Sequence, residues 1–137
     1  MSRVRRAEKT NSIPVGSVVL VIDDEKTVLN VAESALSRKG VIVLTADDGK
    51  RGVEIFREHS NVISVVILDL QMPVMGGEQA FPLLHQINRD VPVILSSGFD
   101  EKEVTARFSR LKPTSFLQKP FTAQRLIEAV AAVLQER

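Results

Sequence analysis

Short apolar runs alternate along the chain with stretches in which apolar residues follow helical spacing. The runs are rich in Val and Ile and occupy residues 18–22, 41–45, 62–68, 91–95 and 115–117. Between them, apolar side chains recur three, four and seven positions apart, which is typical of amphipathic helices. The clearest helical stripes are Val28, Val31, Ala32, Ala35 and Leu36, and near the C-terminus Leu126, Val130, Val133 and Leu134. The pattern predicts five strand–helix units.

Continuous apolar strands between amphipathic helices are typical of a parallel sheet that is covered by helices on both faces. Five such units in 137 residues predict an open, doubly wound α/β sheet, because a closed eight-unit barrel needs about 250 residues. We expect the second strand to lie at the margin of this sheet.

Local signals mark several helix ends. Asp100 is followed three residues later by Glu103, as in a capping pair, and Thr122 suits the N-cap of the last helix. Gly40 follows the first helix, where a left-handed residue is expected. Pro82 falls inside the third helical segment, and we expect it to kink that helix or to delay its start.

Composition excludes several classes of protein. The chain is 44% apolar and 26% charged, as in an ordinary globular domain. Its longest apolar stretch, residues 18–22, is far shorter than the ~20 residues of a membrane span, and no secretory signal is evident. The absence of cysteine excludes disulfides and thiolate metal sites. We therefore expect a cytoplasmic protein without a membrane span.

The first ten residues carry a formal charge of +3, whereas the whole chain carries +1. A basic tail could contact nucleic acid or lipid headgroups, but scattered cations without aromatic residues are more typical of a disordered leader. We interpret residues 1–16 as a basic, disordered leader or linker and residues 17–137 as one domain.

Polar residues follow the predicted strands at the carboxyl ends, where open α/β sheets form their functional sites. In chain order they are Asp23, Asp24, Asp69, Ser96, Ser97 and Lys119. Three clustered carboxylates repel one another, and an all-oxygen site without His or Cys favours a hard cation such as Mg²⁺. With a lysine opposite, the chemistry indicated is attack of an aspartate carboxylate on phosphorus to give an acyl phosphate.

Four segments, in this order and spacing, resemble the receiver domain of response regulators. They are "VLVIDDE" (19–25), "VVILDLQMPVMGG" (65–77), "PVILSSG" (92–98) and "FLQKPF" (116–121). The resemblance implies a flavodoxin-like, CheY-like fold with strand order 2-1-3-4-5. It also implies a phosphoacceptor domain of a two-component phosphorelay, which assists its own phosphorylation but is not a turnover enzyme.

The resemblance assigns roles to the polar residues. Asp69 would accept the phosphoryl group, Lys119 would pair with it, and Ser97 would be the switch hydroxyl that closes on a phosphoryl oxygen. Ser96 would point elsewhere by strand alternation. Phe116 occupies the position of the family's aromatic switch, and without a hydroxyl it can change burial only.

The resemblance also assigns the metal ligands. Asp24, Asp69 and the main-chain carbonyl of Gln71 would bind Mg²⁺ directly, and Asp23 would bind it through water. Mn²⁺ would substitute for Mg²⁺.

The implied partner is a sensor histidine kinase or a histidine phosphotransfer domain. Phosphorylation would reshape the face formed by the fourth helix, fifth strand and fifth helix, which is compatible with a homodimer that forms on phosphorylation. No direct nucleic-acid binding is implied. The sequence resembles receivers attached to hybrid sensor kinases, but it leaves open the cognate kinase, the output and whether the protein stands alone.

Two alternatives are weighed against this interpretation. A receiver-like module that binds proteins without phosphorylation would lack one of the acids, the hydroxyl or the lysine, and none is missing. A phosphatase of the haloacid dehalogenase type would need a second aspartate two residues after its nucleophile, where this chain has Gln71. His85 lies on a predicted helix without an evident partner and is expected to be solvated.

Overall fold

A computed structural model describes residues 12–135, and in this part of the chain five strands alternate with five helices. The strands are β1 (Val18–Ile22), β2 (Ile42–Ala46), β3 (Val65–Asp69), β4 (Val93–Ser97) and β5 (Ser115–Gln118). The helices are α1 (Lys26–Ser37), α2 (Gly49–His59), α3 (Gly77–Ile87), α4 (Glu101–Arg107) and α5 (Ala123–Gln135). None of these helices is long and apolar enough to cross a membrane.

All strand pairs are parallel, and the strand order is β2-β1-β3-β4-β5. This confirms the predicted open, doubly wound sheet and places β2 at its margin. Because the order reverses beside β1, the carboxyl ends of β1 and β3 lie next to each other, where a ligand crevice forms in such sheets.

The sheet separates two hydrophobic cores, since successive strand residues point to opposite faces. On one face, residues such as Leu20 and Leu68 pack with Phe56 of α2 and Leu84 of α3. On the other face, residues such as Val21 pack with α1 and α5. Every residue of β1, β3 and β4 is buried, which explains why these strands are continuous apolar runs.

The structure moves several predicted boundaries. The third strand begins at Val65 instead of residue 62, and Val62 is exposed in the preceding turn. The fourth strand runs to Ser97, so both serines belong to the strand and are buried. In the first helix Ala32 and Leu36 are buried, whereas Val31 is 40% exposed and does not belong to the core stripe.

The packed domain also extends beyond the boundary drawn at residue 17. The side chain of Ile13 is only 6% exposed and belongs to the core under α1 and α5. Gly16 N–H donates to the carbonyl of Gly40 at 2.9 Å, and Gln135 Nε2 donates to the carbonyl of Ser12 at 3.1 Å. Residues 12–16 of the leader predicted for residues 1–16 therefore contact the packed domain, and residues 1–11 of that leader lie outside the described residues.

The predicted helix signals are confirmed except at Pro82. Asp100 and Thr122 accept N–H bonds three residues on, at 2.8 and 3.1 Å, and Gly40 has a φ of 78°. Pro82 lies inside α3, whose start at Gly77 is not delayed. Pro82 has no N–H to donate to the carbonyl of Glu78, four residues earlier. Because both residues are exposed, this missing hydrogen bond lies on the solvent side of α3.

Candidate functional site

Three carboxylates converge at the carboxyl ends of β1 and β3, as the sequence predicts. Asp23 and Asp24 follow β1 directly, and Asp69 is the last residue of β3. One carboxylate oxygen from each lies within 4.8 Å of the others. Asp23 and Asp69 are 2% and 3% exposed, whereas Asp24 is open to solvent. The cluster therefore has two buried charges and one accessible charge.

Lys119, just after β5, forms ion pairs with the carboxylates of this cluster. Its Nζ lies 2.9 Å from Asp23 Oδ2 and 3.2 Å from Asp69 Oδ2. It also lies 2.9 Å from Glu25 Oε1, a contact that the sequence interpretation does not include. The bond between Lys119 and Pro120 is cis. One lysine is thus shared by three carboxylates.

The two buried aspartates use their oxygens in the same way. Asp23 Oδ1 accepts the N–H of Glu25 at 2.9 Å, and Asp69 Oδ1 accepts the N–H of Gln71 at 3.3 Å. In each case the second oxygen faces Lys119. These bonds fix both carboxylates at the carboxyl ends of β1 and β3.

The electrostatics of the site favour an additional cation. Burial, together with the charge of Asp23, raises the pKa of Asp69 to about 7, although Lys119 and the N–H of Gln71 act in the opposite direction. Burial by itself would lower the pKa of Lys119, but its bonds to Asp23 and Glu25 and the charge of Asp69 outweigh this effect and raise it. Because one lysine faces several acids, these oxygen donors fit a hard divalent cation.

The two serines of β4 point to opposite faces of the sheet. Ser97 Oγ accepts the N–H of Phe99 at 3.0 Å, so its hydroxyl oxygen is engaged with the following loop. Ser96 was expected to point away from the site, but it is the Cα partner of Asp69 across the β3–β4 ladder and therefore lies on the same face as that aspartate. Its buried Oγ has no hydrogen-bond partner among the described residues.

The loop after β3 brings backbone close to the acidic cluster. A Cβ at Gly77 would lie 2.7 Å from the carbonyl oxygen of Asp69, so only glycine lets α3 start this close to the strand end. Val74 is 79% exposed and has a φ of 68°, which is unusual for a β-branched residue. The contact recorded for Gln71 is through its N–H, and the role of its carbonyl stays a prediction.

A cleft of about 570 Å³ opens beside the cluster, between α1 and the β5–α5 loop. Asp69 and Lys119 lie on one side, and Val28 and Val31 of α1 lie on the other. Phe121 completes its apolar part. The exposure of Val31 therefore gives the acidic site an apolar border.

Phe116, the predicted aromatic switch, lies in β5 opposite Leu95 of β4. Its ring is half-buried and packs against the core that contains α2 and α3. The role of Phe116 as a switch stays a prediction.

Comparison with known proteins identifies the family. The family described as "Response regulator receiver domain" matches residues 19–131. Chemotaxis protein CheY of Treponema pallidum is 29% identical over 134 residues, which cover 97% of this chain and 92% of that protein. The crystal structure of a response regulator receiver domain protein from Clostridium thermocellum has a TM-score of 0.78 and 32% identity, covering 88% of this chain and 95% of that one.

Longer proteins contain a similar segment. Sensor kinase CckA of Brucella abortus is 26% identical over 136 residues, which cover 99% of this chain but 14% of that kinase. The chain spans less than half the length of several other curated relatives that it matches. From the sequence match, the sheet order and the acidic cluster together, the chain belongs to the response regulator receiver domains, the CheY-like phosphoacceptor signalling domains of two-component systems.

Proposed function

We propose that Asp69 accepts a phosphoryl group from a phosphorylated histidine of a partner protein. The observation that carries this proposal is the position of Lys119 Nζ, 2.9 Å from Asp23 and 3.2 Å from Asp69 at the edge of the sheet. A buried carboxylate that is held beside a lysine and two further acids is equipped to take up a phosphoryl group and a cation together.

In the proposed transfer, a carboxylate oxygen of Asp69 attacks phosphorus. The new O–P bond forms as the N–P bond to the donor imidazole breaks, and the imidazole nitrogen leaves with the electron pair. The product is an acyl phosphate on Asp69. Because its pKa is raised, Lys119 stays cationic and can move from the Asp69 carboxylate to a phosphoryl oxygen.

Receiver domains bind Mg²⁺ at their acidic pocket, and the donor set here fits this ion. We infer that Asp24, Asp69 and the carbonyl of Gln71 hold Mg²⁺, or Mn²⁺ in its place, and that Asp23 contacts it through water. When bound, the ion supplies positive charge to the oxygens of the transferring group. Asp24 is suited to capture it because it is the exposed member of the cluster.

The proposed response begins at Ser97. The added phosphoryl charge of about −1.5 to −2 attracts its hydroxyl, which leaves the N–H of Phe99 and closes on a phosphoryl oxygen. Phe116 then fills the space that the moving segment leaves. The face formed by α4, β5 and α5 changes shape as a result.

Receiver domains act with histidine kinases or phosphotransfer proteins, and they are signalling domains, not turnover enzymes. We propose that the donor domain docks on the cleft beside Asp69, where Val28, Val31 and Phe121 offer an apolar surface next to the nucleophile. We place this exchange in the cytoplasm, where ATP for a histidine kinase is available.

Intact-mass measurement after incubation with Mg²⁺ and acetyl phosphate tests the proposal. Wild type should gain about 80 Da, the mass of one phosphoryl group, and Asp69→Asn should gain nothing. Asp47→Asn, an exposed carboxylate outside the cluster, is the matched control and should gain the same mass as wild type. An adduct that persists in Asp69→Asn, or none on wild type, contradicts the assignment.

A further inference from the structure

A second groove lies between α3 and the C-terminal end of α4, and it shares no residue with the cleft beside Asp69. Its volume is about 790 Å³, against about 570 Å³ for that cleft. The floor is apolar, with Phe81 buried and Phe108 and Leu111 half-buried. His85 was expected to be solvated, but it is half-buried. Its ring packs edge-on against Phe81 with the centroids 4.5 Å apart, and its Nε2 lies 3.4 Å from the carbonyl oxygen of Val91.

The rim of this groove is strongly basic. Arg89, Arg107 and Arg110 line it and are exposed. Within residues 12–135, none of the three lies within ion-pair distance of a carboxylate. Glu78 is the single acidic residue in the described lining. The groove therefore combines an apolar floor with positive charge that the domain itself does not neutralise.

An acidic protein segment fits this combination better than a nucleic acid does. Single-stranded nucleic acids need exposed aromatic rings for base stacking, whereas Phe81 is buried and Phe108 is half-buried. A helix with apolar residues on one face and carboxylates on the other would fill the floor, and arginine pairs with carboxylates in a bidentate manner. We propose that this groove, which we call the α3–α4 groove, is a docking site for an acidic amphipathic segment of a partner protein.

A short chain of contacts links the α3–α4 groove to the site of phosphorylation. The guanidinium of Arg107 lies over the Phe99 ring, 4.6 Å from its centroid, and the N–H of Phe99 donates to Ser97 Oγ at 3.0 Å. When Ser97 turns towards a phosphoryl oxygen, Phe99 loses this bond and its ring is no longer held under Arg107. The arginine is then free to bind a carboxylate in the groove. This coupling rests on the proposed function, whereas the docking site itself does not.

Docking is tested on the full chain with a defined probe. The probe is a fluorescent helical peptide of about 16 residues, with Leu and Phe at positions i, i+3, i+4 and i+7 and Glu at the other positions. A basic comparison peptide has Lys in place of every Glu. Fluorescence anisotropy should show the acidic peptide binding at least about tenfold more tightly than the basic one. The double variant Arg89→Glu, Arg110→Glu should weaken binding at least about tenfold.

The matched control is Arg125→Glu, which changes an exposed arginine of α5 that does not line the groove. It should bind the acidic peptide as wild type does, and circular dichroism should show that every variant is folded. The proposal is overturned if both peptides bind equally, if neither binds, or if Arg125→Glu loses as much affinity as the double variant. It is also overturned if an oligothymidylate binds at the same arginines more tightly than the acidic peptide.

The coupling is tested by repeating the titration with Mg²⁺ and beryllofluoride, a mimic of the phosphoryl group. Wild type should bind the acidic peptide about fivefold more tightly, a typical coupling between two sites, and Arg107→Gln should lose this change. If the mimic binds but the affinity does not change, the coupling is wrong while docking stands. If the mimic does not bind at Asp69, the proposed function fails, and the measurements without it still decide the docking site.

Discussion

At the scale of single residues, Lys119 neutralises two aspartates that are almost completely buried. Removing one partner of a buried ion pair costs several kcal/mol, because the remaining charge stays desolvated. We expect Lys119→Met to destabilise the metal-free protein by about 3 kcal/mol in urea unfolding with chelator present. Lys112→Met, which changes an exposed lysine with no ion pair among residues 12–135, should cause little change. Equal losses in the two variants would show that the contacts of Lys119 are not stabilising.

The pKa of Asp69 predicts how stability depends on pH when no metal is present. The pKa lies at about 7 in the fold, against an ordinary value of 3.8. Between these values the folded state binds more protons than the unfolded state, so stability falls as pH rises. Asp69→Asn replaces the titrating carboxyl group by a neutral amide and therefore removes this fall in stability with rising pH.

Melting temperatures in chelator should therefore be similar for wild type and Asp69→Asn near pH 4. At about pH 8, wild type should be less stable by about 2 kcal/mol, and saturating Mg²⁺ should reduce the difference. If the stability difference between wild type and Asp69→Asn does not change with pH, burial and the charge of Asp23 do not raise the pKa of Asp69.

At the scale of elements, the β3–α3 loop holds Val74 in a left-handed conformation, with a φ of 68°. This conformation costs a β-branched residue about 1–2 kcal/mol, whereas glycine adopts it freely. We expect Val74→Gly to raise the free energy of unfolding by about 1 kcal/mol. Val62→Gly, at another exposed valine without a positive φ, should not stabilise the protein. Stabilisation by both changes would point to a general effect of glycine.

The existence of each helix and strand could be predicted from the sequence more reliably than the residues at which it begins and ends. Alternating apolar runs and helical stripes predicted all ten elements, because burial on both sheet faces forces that pattern. The start of β3 was misplaced because Val62 is as apolar as the strand but lies in the turn before it. At Pro82 the sequence left two outcomes open, a kink or a delayed start, and could not decide between them, because the continuation of α3 through this residue depends on Pro82 facing solvent.

At the scale of the whole molecule, the sequence predicted those parts of the site that follow from sheet topology. Parallel strands bring their carboxyl ends to one edge, so Asp23, Asp69 and Lys119 had to converge. Glu25 was missed because it lies beyond the end of β1, so its contact with Lys119 depends on the path of two side chains and not on the sheet topology. The α3–α4 groove was missed for a similar reason, since its lining comes from side chains of α3 and of the segment around the end of α4, which come together only in the folded domain.

The contacts of Ser97 predict which regions of the domain respond to phosphorylation. Ser97 reaches α4 through Phe99 and Arg107, whereas α2 packs mainly on β1, β2 and α3. With Mg²⁺ and beryllofluoride, we expect amide hydrogen exchange to change in residues 98–111 and 115–121 and to stay constant in α2.

Ser97→Ala is the decisive variant for this prediction. It keeps Asp69 and the acidic cluster, so the mimic should still bind, but the hydroxyl that leaves Phe99 for the phosphoryl oxygen is gone. The exchange pattern of α4 should then be the same with and without the mimic, measured by mass spectrometry of peptides from both samples. If Ser97→Ala responds in α4 as wild type does, the signal leaves Asp69 by a route other than Ser97 and Phe99. If the change reaches α2, the response is a general loosening of the sheet edge instead of a movement confined to one side of the domain.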